Sequence, residues 1–178
     1  VECTDEALTE ALFVGLPDMG QSSHTAMAMI AAEVLGAKPT DITVISGDTD
    51  IVPLDVGALI QRGTFNTGNA VKAAALDARK QLEVLAAARL GVKPAQLVFR
   101  DRQVYPKGQP EKAIPLKKIV YDTLHSREGR FVMGRGFYNS PKESGTMAYS
   151  FGAQIAEVTI DPDTGFVTVD RIVASHDV

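Results

Sequence analysis

The stretch Pro17-Asp18-Met19-Gly20-Gln21-Ser22-Ser23-His24-Thr25 places a glycine, an uncharged amide and hydroxyls directly before "AMAMIAAEVLG", a run with helical spacing. The N–H groups that open a helix have no partner inside it, and the helix dipole adds partial positive charge there. Ser22 or Ser23 can cap this helix while the other hydroxyl stays free. Gly20 lets backbone approach a ligand without a Cβ in the way, and Gln21 offers both a donor and an acceptor. Such an amide can read a heterocycle or a metal-bound oxo group, and the helix start itself suits an anion. The plainer reading is a serine-capped helix after a tight turn, which contributes about 1 kcal/mol. The residues alone leave both readings open.

A second helix start repeats the pattern. "LIQRGTFNTGNA" brings together Gln61, Arg62, Gly63 and Thr64, with Thr64 as the expected N-cap. Arg62 can pair with a phosphate, or on the surface with Asp48, Asp50 or Asp55. Two such starts in one domain can converge on one ligand. Elsewhere the chemistry is sparse. Asp48 and Asp50 lack a calcium-loop pattern and read as turn residues, and His24, His125 and His176 show no zinc spacing. His24 reads as structural. No P-loop, GxGxxG after a strand or Ser-His-Asp order is present. Neither a catalytic residue nor a metal ligand is expected from this chain.

The elements that must hold these residues are legible in outline. A strand is expected over 8–14 and a helix from Ser22 to Leu35, with Met27, Ile30, Ala31 and Val34 on one face, ended by Gly36 and Pro39. "DITVISGD" reads as a buried strand, and residues 47–63 as a long loop of the kind that is functional or mobile. A long helix follows from Thr64 to Leu90, with Val71, Ala75, Ala78, Leu82 and Leu85 as its seam. Its small-residue first part permits close packing against a sheet or another helix. A hairpin turning at Arg100-Asp101-Arg102, a short helix opened by Pro115, a loop through "SREGRFVMGRGFYNSPKESGT" and a terminal hairpin around "DPDTG" complete the reading. The fold class is α+β, with mixed sheets and two main helices.

The bulk numbers narrow the function. The 178 residues, 45% hydrophobic and 22% charged, suit a domain with a real core. A net charge of −4 argues against nucleic acid as partner. No run approaches the roughly 18 apolar residues of a membrane span, and no signal peptide is visible. Cys3, the single cysteine, forms no internal disulfide and fits a reducing, cytoplasmic setting. The first residue is Val1 and the last lies in an expected strand, so residues 1–178 read as part of a domain in a longer polypeptide.

Three segments resemble a known family. "MGQSSHTAMAMIAAEVLG" resembles the MGQG..T helix start of the molybdenum-binding subunit of the xanthine dehydrogenase and aldehyde oxidase family. "ITVISGDTDIVPLDVGALIQRGTFNTGNAVKAAA" resembles the strand, loop and helix that follow it there, and "YSFGAQIAEVTIDPDTGFVTVDRIVASHDV" the later hairpin. The resemblance implies a molybdopterin cofactor with molybdenum, often as its cytosine dinucleotide. It implies hydroxylation of carbon next to nitrogen or oxygen with oxygen from water, or, in one branch, reduction of an aromatic ring carried on coenzyme A. Electrons would pass to iron–sulfur clusters and FAD on other domains or subunits. The partners implied are the rest of the molybdenum subunit and those redox units. The implied cofactor contacts are Gly20, Gln21, Ser22 and Ser23 at the first helix start, and Gln61, Arg62, Gly63 and Thr64 at the second.

Three departures are visible. Ser22 stands where the family has the second glycine of GQG, many relatives have small or hydroxyl residues where Gln61 and Gly63 stand, and no segment matches the glycine-rich motif of the catalytic glutamate. A fragment without that base is expected to be inactive alone. Two other readings fit the same helix starts: a nucleotide- or anion-binding module without redox chemistry, and a structural half-domain. In the latter, an open edge near Val178 could pair with a second copy to form a homo-oligomer.

Overall fold

β1 (Glu10–Phe13) and β2 (Ile42–Ile45) pair in parallel, Glu10 opposite Ile42 and Phe13 opposite Ile45, and α1 (Ser23–Leu35) makes the crossover between them. The computed structural model describes residues 10–59, 62–127, 129–141 and 151–177, which fall into two units divided between Thr146 and Met147. Cys3, Gln61 and Val178 lie outside the described residues.

α1 forms where the apolar spacing places it. Met27, Ala28, Ala31, Ala32 and Leu35 are buried, and Gly36 ends the helix in the left-handed region at φ 71°, its N–H donating to the Ala32 carbonyl. β2 is less buried than its sequence suggests: Ile42 is buried, but Thr43 is exposed. Among the described residues this sheet has two strands, each with an open edge.

α2 (Gly68–Leu90) is the spine of the first unit, preceded by a π turn over Gly63–Thr67. At 1.5 Å per residue it spans roughly 35 Å. Its first half joins Val71 to Val14, Leu16, Met27 and Ala31 in one core cluster. Its second half joins Leu82 and Ala86 to Phe99, Val104, Leu116 and Ile119 in another.

β3 (Leu97–Arg100) and β4 (Gln103–Pro106) form the expected hairpin. Its turn residues Asp101 and Arg102 have φ 51° and 63°, the positive values that match the strands' twist. Arg102 then ion-pairs with Asp41, and its N–H donates to the Gly36 carbonyl at 2.8 Å, which fastens the hairpin to the end of α1. β5 (Ile114–Pro115) pairs antiparallel with β4, and Pro115 is followed at once by α3 (Leu116–Leu124), as its fixed φ favours.

The segment from 129 to 141 has no regular structure, but it does not hang free. A Cβ on Gly134 would lie 2.0 Å from the Ala74 carbonyl oxygen, and one on Gly136 would lie 2.1 Å from that of Ala70. The Tyr138 ring meets Phe65 edge-on, centroids 5.8 Å apart. The strap thus runs antiparallel to α2 over its small residues. The Gln81 side chain donates to the Met133 carbonyl at 2.7 Å and accepts the Met133 N–H at 3.3 Å. Asp77 accepts the Arg135 N–H at 3.1 Å. The close packing on another helix expected of this stretch is present on one side, where α1 meets Gly68 and Val71; on another side an irregular strap approaches as closely, because its glycines remove the Cβ that would collide.

In the second unit, β6 (Gly152–Ile160) and β7 (Val167–His176) form an antiparallel hairpin with a bulge at Glu157/Val158. The Asp161 carboxylate accepts the Asp163 N–H at 2.9 Å and the Thr164 hydroxyl at 2.6 Å, and Gly165 takes φ 71°, so the expected turn forms.

Candidate functional site

The carboxyl ends of two parallel strands are where open α/β units place ligands, and both expected helix starts gather at that end of β1 and β2. Past Phe13, the Val14 N–H donates to the Ile45 carbonyl at 3.0 Å, and Leu16 is fully buried. The chain then turns at Pro17 into the loop before α1. Asp18 closes that loop. Its carboxylate accepts the Gly20 N–H at 2.8 Å and the His24 N–H at 3.2 Å, and these two bonds hold its carboxyl below the usual range.

The serine caps expected from the sequence do not form. Ser22 occupies the N-cap position at φ 58° with no side-chain cap bond. Ser23 is buried and donates its hydroxyl to the Pro17 carbonyl at 3.1 Å. Asp18 supplies the acceptor instead, six residues before the N–H it holds, too far back for the local capping pattern to reveal it. Gln21 also turns inward. Its Oε1 accepts the Met19 N–H at 2.6 Å, and its Nε2 donates to the Pro17 carbonyl at 3.1 Å and to Ser23 Oγ at 3.4 Å. Gly20, Gln21 and Ser22 remain exposed, and among the described residues the N–H groups of Gln21, Ser22 and Ser23 make no hydrogen bond. A Cβ added at Gly20 would meet nothing within 4 Å. The loop therefore offers a short, open row of backbone donors.

At the second start, Arg62 Nη1 donates to Asp55 Oδ1 at 2.8 Å and to the Gly57 carbonyl at 3.0 Å. Of the partners open to Arg62, Asp55 takes it. Asp55 also accepts the Gly57 N–H at 2.8 Å and the Thr67 hydroxyl at 2.9 Å. Burial pushes its carboxyl up, but these three donors outweigh burial and hold it below the usual range. Thr64 is not the N-cap: Arg62 already has helical φ −60° and ψ −37°, and Thr64 lies exposed within the π turn. The latch of Asp55 to Arg62 and Thr67 fixes this helix start, and nothing in local spacing announces a carboxylate seven residues upstream.

The two starts are neighbours. A Cβ on Gly63 would sit 3.4 Å from Leu16 Cδ2, one on Gly68 3.0 Å from Ile30 Cδ1, and one on Gly15 2.2 Å from the Pro53 carbonyl oxygen. The π turn thus packs on buried Leu16, which leads into the loop before α1, Gly68 packs on Ile30 in the middle of α1, and Gly15 packs on the loop at 53–57. Glu10 stands apart from these contacts. Its carboxyl is pushed up to about 7, first by burial and then by Asp41, and its Oε2 is buried without a hydrogen-bond partner. It opens β1, however, about 10 Å from the strand's far end at 3.3 Å per residue. A groove of about 560 Å³ between α2 and α3, lined by Leu85, Arg89, Ile119 and Arg127 among others, contains none of the expected residues. Among the described residues, no cluster of His, Cys, Asp or Glu could hold a metal ion. No helix there is long and apolar enough to cross a membrane.

Comparison with known proteins gives the family of the chain. Residues 9–178 match the family described as "Molybdopterin cofactor-binding domain". The carbon monoxide dehydrogenase large chain of Afipia carboxidovorans is 30% identical over 167 residues, covering 92% of this chain and 20% of that one. The xanthine dehydrogenase molybdenum-binding subunit of Escherichia coli O157:H7 is 28% identical over 165 residues, covering 92% and 22%. A crystal structure of Cu,Mo-CO dehydrogenase superposes with a TM-score of 0.73 at 29% identity over 91% of this chain and 20% of that one. The chain belongs to the molybdopterin cofactor-binding domain family. It spans about one fifth of the length of these relatives.

The residues fit such a cofactor selectively. The N–H row at Gln21–Ser23 and the open face of Gly20 suit the acceptor-rich edge of a pterin. A phosphate suits this helix start less, because the Asp18 carboxylate already occupies it.

Proposed function

We propose that this chain is part of the large subunit of a molybdenum hydroxylase of the xanthine dehydrogenase and aldehyde oxidase type, and that it contributes two of the loops that hold molybdopterin. The observation that carries this reading is the meeting of the two helix starts across Leu16, in a chain of this family. Gly20, Gln21, Ser22 and Ser23 line one side; Arg62, Gly63 and Thr64, with Gln61 beside them in sequence, line the other. When bound, the cofactor supplies the molybdenum centre at which substrate is oxidised. The chain's own part is to bind and orient it. Backbone N–H groups face its polar edge, and Gln21 exchanges its internal bonds to Met19 and Pro17 for bonds to the ligand. Arg62, neutralised by Asp55, stiffens the second loop rather than meeting a phosphate.

The partners in this reading are the rest of the molybdenum subunit and units that carry iron–sulfur clusters and FAD, in the cytoplasm. The binding module without redox chemistry is less favoured, since a pure anion site would leave the α1 N-terminus free of Asp18. The test is pterin and molybdenum analysis of the complete polypeptide, purified with its partner subunits. The expected result is bound pterin with molybdenum. Full assembly with neither would contradict the reading. The chain expressed alone is expected to show no turnover of an aldehyde or purine.

A further inference from the structure

His24 reads from the sequence as an ordinary structural histidine, yet it is the residue at which the ends of both strands and the cofactor loop are tied together. Its Nε2 lies 3.2 Å from the Leu16 carbonyl oxygen and 2.9 Å from Ser46 Oγ, while its own N–H reaches Asp18 Oδ2 at 3.2 Å. Leu16 follows β1, Ser46 follows β2, and Asp18 closes the loop that carries Gln21. A carbonyl oxygen only accepts, so the bond to Leu16 requires a proton on Nε2. The Ser46 hydroxyl then serves as second acceptor for that proton and keeps its own proton to donate elsewhere.

We infer that His24 is a positioning residue for the molybdopterin site: through Leu16 and Ser46 it fixes the first turn of α1, and with it the Gln21–Ser23 donor row, against the ends of β1 and β2. This rests on the proposed cofactor role of that row. His24 touches no reacting atom. It acts by setting where Gly20 and Gln21 stand. The bond of its ring to Ser46 ties the end of β2 to α1, its bond to the Leu16 carbonyl ties in the end of β1, and Leu16 is also the residue against which Gly63 packs. Displacing the His24 ring therefore disturbs both halves of the proposed pocket at once.

The variants His24→Phe and His24→Gln separate this role from mere packing. Phenylalanine fills the space without a donor. Glutamine places an N–H₂ near the Nε2 position, with a hydrogen for each acceptor. Hydrogen exchange is read at Gly20 and His24, whose amides bond to Asp18, and pterin content is read on the complete assembled enzyme. The expected result is exchange about tenfold faster and pterin content about tenfold lower in His24→Phe, the scale of losing one or two net hydrogen bonds. His24→Gln is expected to restore both to within about twofold of the parent. Unchanged exchange in His24→Phe would overturn the inference. So would faster exchange with pterin content undiminished, or a His24→Gln variant no better than His24→Phe. If the parent enzyme itself holds no pterin, the proposed function fails. The exchange comparison then still decides whether His24 positions the loop.

Discussion

Substituting Gly136 by alanine should lift the 133–138 strap off α2 while leaving the helix intact. The added Cβ would lie 2.1 Å from the Ala70 carbonyl oxygen and 2.3 Å from the Ala74 nitrogen, where ordinary contact begins at 3.4 Å. The groups met are helix backbone and cannot step aside, so the strap must retreat by on the order of 1 Å. A retreat of that size takes the bonds of Met133 to Gln81, at 2.7 and 3.3 Å, and of Arg135 to Asp77, at 3.1 Å, beyond hydrogen-bond range. Three net hydrogen bonds at about 1 kcal/mol each set a ceiling of roughly 3 kcal/mol. All three are exposed to competing water, so about 1–2 kcal/mol is expected. At about 1.4 kcal/mol per factor of ten, strap opening becomes roughly five- to thirtyfold more frequent. Amide exchange at Met133 and Arg135 reads this directly, and tryptic cleavage after Arg135 should speed up in parallel. Unchanged protection at both amides in Gly136→Ala would refute the reasoning, since it would mean that the strap carries no constraint from α2.

Other changes test the loops and the core. Ser22→Gly relieves a left-handed residue at φ 58° and should raise thermal stability by about 0.5–1 kcal/mol; a lowered melting temperature would contradict this. Asp55→Ala removes the acceptor shared by Gly57, Arg62 and Thr67, so exchange at the Gly57 amide should accelerate and stability should fall. The folded pKa of Glu10, about 7, lies above its ordinary 4.5, so the folded state holds its proton more tightly than the unfolded state does. The stability this favours is fully present below about 4.5 and is lost as pH rises through about 7, by up to about 3 kcal/mol. Glu10→Gln should flatten that dependence in urea denaturation run at acid and mildly alkaline pH, and an unchanged slope would count against the buried, unpaired carboxyl.

Much of the scaffold was legible because its signals are local. The apolar spacing of α1, its Gly36 terminator, the hairpin turn at Asp101 and Arg102, and the Asp161–Gly165 turn each depend on residues within a few positions of one another. The features that shape the candidate site depend on distant partners. Asp18 displaces the serines as cap, Asp55 draws in Arg62, and the π turn takes Thr64 from the N-cap position; no periodicity encodes any of these. The strap was hidden for a similar reason. Gly134 and Gly136 read as loop glycines, and only the alanines of α2 beneath them reveal that they are there for close approach. The residues alone left it open whether the two helix starts converge on one ligand, and the resemblance turned this into an expectation; the structure packs Gly63 of the second start on Leu16, which leads into the first.

The most direct test is a crystal structure of the complete cofactor-loaded enzyme. The account predicts that the amides of Gly20–Ser23 and the segment Arg62-Gly63-Thr64 both border molybdopterin, with Gln21 released from Met19 and Pro17 to bond to it. A structure in which the cofactor is bound elsewhere, and Gln21 keeps its bonds to its own loop while facing solvent, would contradict it.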